Sequence, residues 1–164
     1  MRRVPPILLV VLLVAAGWWL ARGGPSPPAE AAVTRVVDGD TVYVRAGSHS
    51  YDVRLLGIDT PETVDPHRPV GCFGPEASAY TKHLLDGRRV RLVYDRERRD
   101  RYGRWLAYLY LLRSGRPPLF VNGRLVAAGY ARTLSIPPNT AHAAELAALE
   151  REAALAGRGL WSAC

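Results

Sequence analysis

Apolar and polar positions alternate along three short runs, Val33 to Val37, Thr41 to Arg45 and Tyr51 to Leu56, each rich in β-branched or aromatic residues. A period of two with this composition predicts strands. Asp38-Gly39 and Ala46-Gly47-Ser48 separate the runs and supply turn chemistry. The close spacing predicts an antiparallel meander. A fourth run, Arg89 to Tyr94, places Val90, Leu92 and Tyr94 on one side. A charged loop, Asp95 to Arg101, separates it from a fifth, Arg104 to Leu112.

Elsewhere the period changes to that of a helix. Gly74-Pro75-Glu76 opens one, with proline at a position that tolerates it and an acid at the positive end of the dipole. Ala77, Tyr80 and Leu84 form its apolar stripe, and Asp86-Gly87 ends it. A short helix is expected from Asn122 to Ala128, ending at Gly129. A last one is expected from Asn139 or Thr140 to about Ala156, with Leu146, Leu149 and Ala153 facing inward and Gly157 as its stop. Together these elements predict an α+β domain: a small five-stranded antiparallel barrel of the oligonucleotide-binding (OB) fold, with about three helices.

The ends of the chain read differently. Arg2 and Arg3 precede an apolar run from Ile7 to Leu20 that closes on Trp18 and Trp19. This is the pattern of a signal peptide or an uncleaved signal anchor. Ala29-Glu30-Ala31 has the small-x-small form of a cleavage site. The expected organisation is therefore a signal or anchor at 1–21, a Gly/Pro-rich linker at 22–31 and a globular domain at 32–164. Export, with the domain secreted or held at the outer face of a membrane, follows as an expectation, and so does a monomer. In an oxidising compartment an isolated pair of cysteines is bridged more readily than catalytic, so Cys72 and Cys164 are expected to form a disulfide.

Composition adds a partner class. The formal net charge is +7, and arginine supplies nearly all of the positive side, with Lys82 the only lysine. A permanently charged planar fork suits phosphate. Cleaving a phosphodiester needs charge stabilisation on crowded phosphoryl oxygens and a carboxylate to orient or deprotonate water. Asp38-Gly39-Asp40-Thr41 places two acids on a tight turn. Arg54-Leu55-Leu56-Gly57-Ile58-Asp59-Thr60-Pro61-Glu62-Thr63 ends a strand and carries two more into the loop beyond. Asp100-Arg101-Tyr102-Gly103-Arg104 leads into another strand. Taken singly, each is an ordinary turn or surface charge.

Their order is more specific. DGDT, RLLGIDTPET, FGPEASAYTK, DRYGR and VNGRLVAAGYA follow one another at domain-scale spacing. The chain from about Ala32 to Trp161 closely resembles the thermonuclease family, the staphylococcal-nuclease-like domains. The resemblance implies a Ca²⁺-dependent endonuclease that cleaves DNA and RNA and leaves 3′-phosphate ends. It implies Asp40, Asp59 and the Thr60 carbonyl as calcium ligands, an all-oxygen set suited to a hard cation. Glu62 takes the place of the family glutamate that activates or positions water. Arg54 and Arg104 match the arginines on the scissile phosphate, and Arg101 and Tyr102 match substrate contacts. The stretch Thr133 to Thr140 departs from the pattern: it is shorter and lacks the family's base-stacking tyrosines, leaving Leu134 or Ile136 as an apolar platform. His49, His67, His83 and His142 have no metal-site spacing, and none is assigned a role. The alternative class is a membrane-tethered OB-fold module that binds nucleic acid or protein without cutting.

Overall fold

The computed structural model describes residues 27–164 except Asp65 and Arg68. The expected signal or anchor segment lies outside these residues.

Among the described residues, eight strands and four helices follow one another. β1 (Glu30–Val36), β2 (Thr41–Ala46) and β3 (His49–Leu55) form the meander, and β4 (Gly57–Asp59) follows directly. After α1 (Gly74–Leu85) come β5 (Arg89–Val93), β6 (Trp105–Arg113) and β7 (Arg116–Phe120). The chain ends with α2 (Val121–Ala127), β8 (Arg132–Leu134), α3 (Ala143–Leu155) and α4 (Leu160–Ala163).

β1, β2, β3, β5 and β6 close a barrel. Four of its seams are antiparallel, and the one between β3 and β6 is parallel, with Val53 opposite Trp105 and Leu55 opposite Ala107. The five strands are thus those expected, but the barrel is mixed rather than wholly antiparallel. Because β1 is antiparallel to both β2 and β5, and β3 and β6 are each antiparallel to the next strand along, β3 and β6 run the same way and the seam that closes the barrel is parallel. Period-two alternation sends Val42, Val44, Val53, Leu55, Val90, Leu92 and Leu109 into the interior.

Three short strands were not expected. β7 contains Pro117 and Pro118 and pairs with β6 alone, the edge position at which proline is tolerated. β4 and β8 form a separate two-stranded ribbon with Asp59 opposite Arg132. β1 begins at Glu30 and buries Ala31, so the last residues of the expected 22–31 linker belong to the barrel. The last long helix begins at Ala143, later than the expected Asn139 or Thr140. Asn139 is held instead by the main chain of Glu97, donating to its O and accepting from its N at 2.8 Å each.

Packing beneath the site is specific. Thr81 on α1 is fully buried and donates to the Gly39 carbonyl at 2.8 Å, tying the helix to the Asp38–Asp40 turn. Asn122 on α2 is buried too. It donates to Leu56 O at 2.8 Å and accepts from Leu109 N at 2.9 Å, fixing the start of the 56–63 segment to the barrel. Cys72 and Cys164 form a disulfide with Cα atoms 6.0 Å apart, joining the loop before α1 to the C-terminus.

Candidate active site

Arg54 is the hub. It sits at the end of β3, paired with Thr41 at the start of β2, and its side chain is only 14% exposed. Its Nη1 lies 2.9 Å from Asp40 Oδ1 and also donates to the carbonyls of Ile58 (3.0 Å) and Leu55 (3.2 Å). Its Nη2 donates to Asp59 Oδ1 at 2.9 Å. One guanidinium therefore bridges two carboxylates. Its Nε–H and one Nη2 hydrogen keep no acceptor among the described residues, and these two are arranged to receive an anion side-on.

Asp40 is buried, whereas the Asp59 side chain is 57% exposed. Asp40 Oδ2 accepts from Thr60 N at 2.7 Å and from Thr60 Oγ1 at 3.0 Å, and its Oδ1 accepts from Thr41 Oγ1 at 3.2 Å. Burial nonetheless pushes the Asp40 carboxyl up to about 7. Arg54 and the Thr60 hydrogen bonds pull it down, and Asp38 adds to the rise. Gly39 makes the close approach of the two segments feasible, because a Cβ there would fall 2.6 Å from the Thr60 side chain. Thr81 escapes sequence reading, since its part is set by a contact made across the fold.

Arg104 stands just before β6. Its Nε donates to Asp100 Oδ2 at 2.7 Å, and its backbone N–H donates to Asp100 Oδ1 at 3.0 Å. Both Nη groups remain without an acceptor among the described residues. Asp100 is a second residue that sequence reading missed; its signal was the acid four positions before Arg104 in a tight loop. Arg54 and Arg104 both line a cavity of about 540 Å³, and Leu134 and Ile136 form part of its apolar wall. Arg101 and Tyr102 line it as well. Tyr102 is exposed, its hydroxyl 2.6 Å from an Arg101 Nη.

Glu62 lies on the loop beyond Thr60. Its Oε1 accepts from the backbone N–H groups of Thr63 (2.9 Å) and Val64 (2.8 Å). Its carbonyl receives Gly71 N at 2.8 Å, which closes the loop carrying Cys72. The structure thus joins Asp40, Arg54, Asp59 and Thr60 directly and sets Arg104, Arg101 and Tyr102 around the same cavity. Glu62 is placed two residues from Thr60, with its carboxylate turned over its own loop.

No group of three or more His, Cys, Asp and Glu side chains is gathered for a metal among the described residues. The oxygens of Asp40, Asp59 and Thr60 nevertheless fit a hard cation. Asp40 is a buried carboxylate disfavoured by desolvation, with a second carboxylate held on the other arm of the same arginine. A cation there would offset that unfavourable charge.

Comparison with known proteins gives concordant matches. A family model described as staphylococcal nuclease homologue matches residues 52–163. The thermonuclease of Staphylococcus intermedius is 42% identical over 129 residues and that of Staphylococcus hyicus 38% over 130, each match covering 79% of this chain and 74% of the relative. The SPbeta prophage-derived endonuclease YokF of Bacillus subtilis (strain 168) is 36% identical over 135 residues, covering 81% of this chain and 44% of the relative.

Proposed function

The chain belongs to the staphylococcal nuclease family, and from that membership we propose that it is an exported, Ca²⁺-dependent nuclease hydrolysing DNA and RNA to 3′-phosphate ends. The observation that carries this reading is the pair of arginines at one cavity, Arg54 and Arg104. Each is anchored by carboxylate on one edge and open on the other. Two preorganised forks of this kind bind the non-bridging oxygens of a phosphodiester and the charge that grows on them.

In this reading Asp40, Asp59 and the Thr60 carbonyl hold calcium. When bound, the ion supplies charge stabilisation to the phosphoryl oxygens. A set of two carboxylates and one carbonyl would suit binding at millimolar extracellular calcium, roughly the weak end of known sites. Glu62 takes a proton from the attacking water, which requires its carboxylate to turn off the Thr63 and Val64 amides. The water oxygen bonds to phosphorus as the bond from phosphorus to the 5′ oxygen breaks. Arg104 supports the departing 5′ oxygen, which takes a proton from solvent and leaves as a 5′ hydroxyl, and the phosphate stays on the 3′ side. Leu134 and Ile136 offer an apolar wall to the base without an aromatic face, so base stacking is weaker.

Export is supported by the Arg2-Arg3 start and apolar run, and by the Cys72–Cys164 bridge, a bond kept in oxidising compartments. The protein acts as a monomer, at the membrane where the first segment is retained.

Digestion of DNA and RNA by purified protein, with calcium and with excess chelator, tests the proposal. Cleavage in calcium, its loss with chelator, and 3′-phosphate products are expected. Binding without cleavage in millimolar calcium would overturn it in favour of a binding module.

A further inference from the structure

Two recesses lie at opposite ends of the β4–β8 ribbon. The 540 Å³ cavity touches the Gly57–Leu134 end, and a smaller one of about 240 Å³ touches the Asp59–Arg132 end. The smaller recess is lined by Asp59, Thr60, Pro61, Arg132, Leu160 and the Cys72–Cys164 bridge. Between them sits the Arg54–Asp59 ion pair. The ends are two residues apart, about 7 Å along a strand.

At the main cavity Arg54 and Arg104 are each held by a carboxylate. Among the described residues Arg132 has no such partner. Asp59, its cross-strand neighbour, gives its carboxylate to Arg54 instead. Arg132 is exposed, and its guanidinium lies 4.4 Å from the centre of the Trp161 ring. Stacking on an indole holds a guanidinium plane in place while leaving its N–H edge open, and its other face can take a base.

We infer that the recess beside Asp59 is a second nucleotide subsite, in which Arg132, stacked on Trp161, binds the phosphate next to the scissile one on a single strand. The inference rests on the nucleic-acid reading of the main site and extends it to a substrate class: polynucleotide running across both recesses. Arg54 lines the large cavity and is tied by Asp59 to the end of the ribbon where Arg132 stands, so a strand that follows the ribbon from the large cavity passes from Arg54 to Arg132.

The test is binding of labelled oligothymidylates of two and eight nucleotides to E62Q protein in calcium, over a range of salt. The same series is run with R132Q and R132K added. A dinucleoside monophosphate carries one phosphate, which Arg54 and Arg104 take. R132Q is expected to leave its affinity unchanged, to weaken the octamer about five- to tenfold, and to lower the salt slope by about 0.7, the share of one phosphate on a single strand. R132K is expected to keep the slope. A loss equal at both lengths, or an unchanged slope with the octamer, overturns the subsite. Because the readout is binding, a failed digestion assay would sink the nuclease reading without deciding this one.

Discussion

Asp100 grips Arg104 at two points: Oδ2 accepts from the side-chain Nε at 2.7 Å, and Oδ1 accepts from the backbone N–H at 3.0 Å. The first fixes the direction of the guanidinium and the second fixes the turn from which it springs. Both Nη groups are left without an acceptor among the described residues, on a side chain that lines the cavity.

Asp100→Asn keeps the shape but loses the charge-assisted bond to Nε. Arg104 then samples orientations away from the phosphate. A drop of about 10- to 100-fold in kcat is expected, the range for a displaced catalytic group. KM should change far less, because Arg54 still holds the ground-state phosphate. Steady-state kinetics on a defined oligonucleotide, with circular dichroism to confirm the fold, checks this. A raised KM with kcat unchanged would mean that Asp100 serves binding alone.

Calcium is expected to raise the melting temperature, because an ion bound only by the folded state stabilises it, by about 2.7 kcal/mol at a hundredfold excess over Kd. Asp40→Asn and Asp59→Asn should each remove most of that calcium-dependent increment. The two differ without calcium. Asp40 is buried and disfavoured as a carboxylate, so its amide form relieves desolvation at the cost of the Arg54 pairing. Asp59 is largely exposed, and its loss should change the ion-free melting point little. Thermal melts with calcium and with chelator separate these effects.

The contrast between Arg54 and Arg132 shows what could be read from the sequence. Strand runs with regular alternation declared the five barrel strands, and the RLLGIDTPET segment placed Arg54 at a strand end with two acids after it. The direction of the β3–β6 seam was not legible, since it depends on closure between distant segments. β4 and β8 are three residues each, too short to carry a period, so nothing in the sequence singled out Arg132. Asn139 reads as a helix start by its cap chemistry, yet its side chain is spent on the main chain of Glu97. The buttress Thr81 acts through a single contact made across the fold, which no composition or spacing announces.

Removing the Cys72–Cys164 bridge should lower stability by about 2–5 kcal/mol, as expected when a long loop is released in the unfolded chain. The bridge spans a sequence separation of 92. The double variant C72S/C164S, measured by urea unfolding, gives the value. The same bridge anchors the loop that begins with Glu62, whose carbonyl binds Gly71, the residue before Cys72. Activity should therefore fall in reductant at temperatures well below the melting point. Activity unchanged by reduction would show that α1 and the Glu62–Gly71 contact hold the loop unaided.

Asp52 gives a pH-dependent prediction. It lies on β3, and its Oδ1 is buried without a hydrogen-bond partner among the described residues. Burial raises its carboxyl above the ordinary 3.8; Asp100 and Asp38 raise it further, while Arg104 and Arg35 oppose the rise. A raised acid favours the protonated form in the folded state. Its contribution is therefore intact below the unfolded value of 3.8 and is lost as pH rises through the folded value. Asp52→Asn cannot ionise and escapes that loss. The variant should match the wild type near pH 3 and become the more stable of the two as pH climbs from 3.8 toward neutrality. Denaturant unfolding at both ends of that range measures the difference. A variant less stable at neutral pH would show that attraction from Arg104 and Arg35 outweighs desolvation, making Asp52 a partner of the catalytic arginine rather than a strained neighbour.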